Sequence, residues 1–265
     1  MTREKKKNKK RGSIFLLVLI FIFAGVMVFC GYKLWEIWSE YHANAKTQEE
    51  VQNLFYQDAM SGAAGSEELA EGYSFTFDLT PVIAQNPDTV GWIIVPNTVI
   101  DYAVVQGVDN DEYIHKGFFG EYNSAGTVFM DASNDVHGVM QNLILYGHRM
   151  KDGSMFGELG KFLEQSFYEE NPTFIFITED AIYDCDIFSV YQCTTEVDYC
   201  QYAFTNWDNM NSYVEAAKAR SSIRTADVEV TAIDTLITLS TCDYLLDPDE
   251  GRLVVHAKLR KRTNG

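Results

Sequence analysis

A thiol beside a fixed positive charge ionises readily, and the thiolate is the nucleophilic form. The chain sets up such a pair near its C-terminus. Thr235-Leu-Ile-Thr-Leu-Ser-Thr-Cys242 is a β-prone run with a single cysteine at its end. Arg252 opens a second such run, Arg252-Leu-Val-Val-His-Ala-Lys-Leu-Arg260. Between them lies Asp247-Pro248-Asp249-Glu250-Gly251, which has turn chemistry. If the two runs pair, Cys242 and Arg252 lie at the same end of a sheet. The competing reading makes Cys242 a buried small hydrophobe, as most free cysteines are, and Arg252 a surface charge.

Cysteine chemistry also needs a base. The histidines are His42, His115, His137, His148 and His256. His115 and His137 fall in polar loop contexts, and His256 lies inside the Arg252 run. His148 follows Asn142-Leu-Ile-Leu-Tyr146-Gly147, a strand ending in glycine, and precedes the polar loop Arg149-Met-Lys-Asp-Gly153. A residue just past a strand end is exposed, yet held by a rigid element. A single histidine is more often structural. Only its combination with Cys242 and Arg252 singles His148 out.

The elements that must position these three are mostly short strands. Gly91-Trp-Ile-Ile-Val95, Val99 to Gln106, Thr127 to Met130, Asn142 to Tyr146, Thr173 to Thr178, Ile182 to Tyr191, Val228 to Thr231 and Thr235 to Ser240 all carry β patterns. Residues 154–169 read as a short helix. Thr80 is expected to cap a helix with Pro81 in its first turn. Asp208 to Ser222 places Met210, Tyr213, Val214 and Ala217 on one helical stripe, just before the Cys242 strand. Many short strands with turn signals argue for a mainly β protein, a closed or partly closed barrel with added helices.

Charge divides the chain. Residues 1–12 carry a net +6 within a total of −17, so the remainder stands at −23. An acidic body lacks the basic footprint that nucleic-acid binding needs. Ser13 to Tyr32 is uncharged and about long enough to cross a bilayer. The only A-x-A sequence nearby, Ala43-Asn44-Ala45, lies too far from the apolar run for a signal-peptidase site. This is an uncleaved anchor with its basic head in the cytoplasm and its body outside. The expected organisation is a basic head at 1–12, an anchor at 13–32, a membrane-proximal helix and linker at 33–72 with a flexible break at 62–66, and a catalytic domain at 73–265. Of the five cysteines, Cys185, Cys193 and Cys200 are either disulfide candidates or buried thiols, and no zinc-type spacing is present. No metal or cofactor is expected.

Tyr146-Gly147-His148, Thr238-Leu-Ser-Thr-Cys242 and Arg252 within Gly-Arg-Leu-Val-Val-His together resemble the signature of sortases, the membrane-anchored cysteine transpeptidases of Gram-positive bacteria. Three features resemble class B: the Thr-Leu-Ser-Thr-Cys form, Asn86-Pro-Asp-Thr-Val-Gly-Trp-Ile with Asp101-Tyr-Ala-Val-Val-Gln-Gly107, and the helix before the cysteine strand. Ala103 departs from the proline common among relatives, and the Cys242–Arg252 loop is unusually acidic.

The resemblance implies a barrel of about eight strands. It makes Cys242 the nucleophile, His148 the proton-transfer partner and Arg252 the oxyanion stabiliser, with Tyr146, Ser240 and Thr241 lining the groove. It also implies surface proteins with an Asn-Pro-x-Thr-x or Leu-Pro-x-Thr-Gly sorting signal as substrates, cleaved after threonine. An amine of peptidoglycan, or a pilin lysine, would be the acceptor. A non-catalytic, membrane-tethered peptide-binding barrel is the alternative from another class.

Overall fold

Short β runs leave unpaired backbone at the sheet edges unless the sheet closes on itself, and here it closes. The computed structural model describes residues 3–61, 78–135, 141–244 and 246–262. Eight strands among them form a barrel: β1 Thr89–Ile94, β2 Asp101–Val105, β3 Phe129–Met130, β4 Asn142–Tyr146, β5 Thr173–Ile177, β6 Ile182–Thr194, β7 Leu236–Cys242 and β8 Gly251–Lys261. Around the barrel the order is β1-β2-β3-β4-β7-β8-β6-β5, with β5 returning to β1. The mainly β, closed-barrel expectation holds, and all but one of the short runs became strands with small shifts of boundary.

Period-two alternation decides which side chains fill the barrel. Leu143 and Leu145 of β4, Ile237 and Leu239 of β7, and Leu253 and Val255 of β8 point inward to a fully buried core. The alternate residues of the same strands face outward, where two further layers cover them. One is α4, Trp207–Arg220, capped by the Asn206 side chain, which accepts from the Asn209 amide. Its Met210, Val214 and Ala217 stripe packs on Phe188, Tyr191 and Val254. The other combines the end of α1, Arg3–Ser61, with α2, Thr80–Gln85. Phe55 stacks on Trp92 at 4.1 Å, and Tyr56 donates to Asp101 at 2.9 Å.

Contacts divide the chain into two compact units, Met1–Lys46 and Thr47–Gly265. Among the described residues, one helical stretch, Phe15–Tyr56, is long and apolar enough to cross a membrane, and it begins in the first unit. The expected break at 62–66 and His137 lie outside the described residues.

Three local expectations change. Residues 228–231 are not a strand: Val228 and Val230 pack half-buried on the α4 layer, and a closed barrel offers them no open edge. Residues 154–169 resolve into a 3-10 helix, Gly157–Leu163, and a short α3, Gln165–Glu170. At α2 the cap position is Leu79 rather than Thr80, and the Asp78 carboxylate takes the Thr80 amide instead. The cysteines are all free thiols, with Cys185 and Cys193 buried.

Candidate active site

Strand register brings the three singled-out residues together. β4 and β7 run parallel, with Tyr146 opposite Ser240. The ladder extends one step further through the Gly147 amide to the Ser240 carbonyl at 3.3 Å. His148, two residues beyond Tyr146, and Cys242, two beyond Ser240, line the same groove. On the other side of β7 the antiparallel pairing with β8 sets Cys242 directly opposite Arg252. All three lie at one end of β4-β7-β8 and line one open groove on the outer face of the barrel.

Two glycines permit this approach. A Cβ at Gly147 would run into the Phe156 ring, and one at Gly251 would overlap the Asp243 carbonyl.

Each side chain has a distinct setting. The His148 Nε2 lies 2.9 Å from the Ile114 carbonyl, an acceptor only, so in the neutral ring Nε2 carries the hydrogen and Nδ1 carries none. The His148 ring stacks on His115 with centroids 5.6 Å apart. Burial lowers the proton affinity of His148; the Ile114 carbonyl opposes that, and His115 adds to it. Arg252 donates to the main-chain carbonyls of Gly251 at 2.8 Å and Asp249 at 3.2 Å. Among the described residues it forms no ion pair, despite the acidic loop beside it. Asp247 instead spends its carboxylate on the Asp249 and Glu250 amides.

The other three expected residues also border the groove. Tyr146 donates to Asp131 at 2.9 Å, where the Asn110 amide joins it on the same oxygen. Ser240 donates to the Tyr199 hydroxyl at 3.3 Å and is buried beneath it. Thr241, an inward position, is buried, and its hydroxyl has no partner among the described residues.

Sequence reasoning missed several participants. Asn110, Ile114 and Phe129 form the wall from the β2–β4 side, and Tyr199 forms the wall from the β6–α4 connection. Apart from Phe129, which lies in β3, these residues sit in connections, where no periodicity marks them. Arg149 and Asp243, which directly follow His148 and Cys242, form an ion pair at 2.7 Å. The Gln192 side chain completes it on the second Asp243 oxygen. Asp243 is fully buried, so the pair ties the His148 loop to the end of the Cys242 strand. Opposite charges adjoining the two candidate residues were a usable signal.

A Sortase domain model matches residues 93–260, the span of the barrel from β1 to β8. The chain belongs to the sortase family. Sortase B of Listeria monocytogenes is 34% identical over 244 residues, covering 91% of this chain and 95% of that protein. Sortase B of Staphylococcus aureus is 32% identical over 247 residues, covering 93% and 97%.

Among solved structures, a Staphylococcus aureus sortase B–substrate complex superposes with a TM-score of 0.74 at 31% identity, over 85% of this chain and 100% of that one. Sortase B of Bacillus anthracis in complex with AAEK1 gives 0.71 at 38% identity, over 85% and 100%. This sortase is of class B and is a cysteine transpeptidase. A non-catalytic binding barrel is thereby set aside.

Proposed function

We propose that Cys242 attacks the carbonyl carbon of a threonine in a C-terminal sorting signal. The carbonyl oxygen gains the electron pair, and the Arg252 guanidinium, which cannot lose its proton, offsets the charge there. His148 as imidazolium protonates the departing amine through Nδ1, leaving a thioester on Cys242. Neutral His148 then takes a proton from an incoming amine. That amine attacks the thioester, a new amide forms, and the thiolate is released.

The observation that carries this reading is the meeting of His148, Cys242 and Arg252 on one groove at the paired end of β4 and β7, with Arg252 directly opposite Cys242 across β7-β8. The Ile114 carbonyl holds the His148 tautomer, a backbone group in the orienting role that a carboxylate fills in other triads.

The substrate is a sorting motif of the Asn-Pro-x-Thr-x or Leu-Pro-x-Thr-Gly kind, lying between the Asn110–Ile114 wall and the Tyr199 wall. Tyr146, Ser240 and Thr241 help to shape that groove. The acceptor is a cell-wall amine, so the product is a surface protein joined to peptidoglycan. A solved sortase B complexed with triglycine supports an amine acceptor.

The basic head at 1–12 stays in the cytoplasm, 13–32 spans the membrane, 33–72 leads away from it, and 73–265 acts outside. The Phe15 stretch supports this topology. A pilin-polymerising role shares the same catalytic groups and differs in using a pilin lysine as acceptor.

The test is incubation of the full chain in detergent with sorting-motif peptides, with and without amine acceptors. Mass spectrometry should find a thioester on Cys242 that one amine resolves faster than water. No adduct with any peptide, while Cys242 still reacts with a thiol reagent, would overturn the substrate class and leave the nucleophile standing.

A further inference from the structure

Beneath α4, on the same outer barrel face as the groove but outside it, lies a chain of buried polar side chains with no part in the chemistry above. Tyr191 Oη is 2.9 Å from His256 Nε2, and His256 Nδ1 is 2.9 Å from Thr238 Oγ1. Thr238 Oγ1 is 2.9 Å from Asn142 Oδ1. Asn142 Nδ2 reaches the Gln201 carbonyl at 2.9 Å and the Tyr213 hydroxyl at 3.3 Å. Tyr213 donates to the Tyr199 carbonyl at 2.6 Å. Asn142, Thr238 and His256 are all fully buried.

Every proton in this chain has one place to go. The Gln201 carbonyl only accepts, so the Asn142 NH₂ faces it and Oδ1 faces Thr238. Oδ1 only accepts, so Thr238 gives up its single hydrogen there. Thr238 can then only accept from His256, which puts the imidazole hydrogen on Nδ1 and leaves Nε2 to accept from Tyr191. Tyr213 spends its hydrogen on the Tyr199 carbonyl and takes the second Asn142 hydrogen. The chain is therefore directional from Tyr191 to the backbone of residues 199 and 201.

Those two carbonyls belong to the β6–α4 connection, which is irregular and has no ladder to satisfy them. Residue 199 is also where the connection meets the groove: Tyr199 lines it and receives the Ser240 hydroxyl. We propose that the Tyr191–His256–Thr238–Asn142–Tyr213 chain sets the position of the Tyr199 wall, and that Asn142 and His256 are positioning residues for peptide binding although neither touches the groove. This rests on the groove being the peptide site proposed above.

Two conservative variants test it. Thr238→Val removes the central hydroxyl at nearly constant volume, and Tyr213→Phe removes the last link to the wall. Each should raise KM for the sorting peptide at least fivefold. Each should also leave kcat, and the alkylation rate of Cys242 by iodoacetamide, within twofold. Thr238→Ser, which keeps the hydroxyl, should restore KM.

Amide exchange supplies a readout independent of turnover. It should quicken across 197–204 in Thr238→Val and stay unchanged across β1 and β2. KM within twofold of the parent in both variants, or Thr238→Ser as poor as Thr238→Val, overturns the proposal. If the parent enzyme cleaves no peptide, the substrate reading fails on its own. The exchange pattern then still decides whether the chain holds the wall: unchanged exchange at 197–204 overturns it.

Discussion

His148 and His256 stand on the same outer face of one barrel and have opposite characters. His256 is wholly buried, with both ring nitrogens spoken for by Tyr191 and Thr238. Burial, helped by the Arg220 charge, lowers its pKa to about 3, so it is a neutral strut at any ordinary pH. His148 is only partly buried and lines the groove, with one ring nitrogen fixed by the Ile114 carbonyl. Saturated hydrogen bonding makes an imidazole structural. A vacant nitrogen at a surface groove makes it able to move a proton.

The sharpest way to break this contrast is on the reactive side. Cys242→Ala should abolish peptide cleavage and leave the melting temperature within a few degrees of the parent. Turnover above background would remove the cysteine from the mechanism. Arg252→Lys should cost about 100-fold in kcat/KM, because a point charge does not reproduce a planar bidentate donor. Near-normal kinetics would mean that Arg252 does not meet the oxyanion.

On the structural side the contrast predicts a pH effect on stability. The folded pKa of His256 lies below its unfolded value of about 6.5, so the unfolded chain binds the extra proton. Stability is whole above that value and falls as pH drops toward about 3, by on the order of 5 kcal/mol in the limit. The charged or titratable groups facing His256 are Arg220, Tyr191 and Tyr213, and none is a carboxylate that would offset the effect. Denaturant titrations across that window should show a shallower acid loss in His256→Gln. Parallel curves for the two proteins would refute the assignment.

The smallest effect concerns the pair of stacked imidazoles. His115 lowers the proton affinity of His148. His115→Leu should move the pH–rate limb belonging to His148 to higher pH. A limb that stays in place would limit His115 to a packing role.

Much of this was legible in the chain itself. Period-two runs located the strands, and Leu-Ile-Leu-Tyr146-Gly147-His148 and Ser240-Thr241-Cys242 announced residues at strand ends. The Met210, Val214 and Ala217 stripe announced α4. These are local signals, written in neighbouring residues. Pairing is not local. That β4 lies parallel to β7, bringing residues 148 and 242 to one groove, depends on the order in which eight strands close.

The same closure left 228–231 without an edge to join, whatever its β-branched content. It also turned His256, in sequence one more residue of a strand, into the buried centre of a hydrogen-bond chain. The sequence alone determined which side chains can do chemistry and which runs can be strands, because side-chain type and backbone preference belong to each residue. The tertiary structure alone decided which histidine stands at the groove and which is a buried strut, because burial and hydrogen-bond partners come from residues far away in the chain.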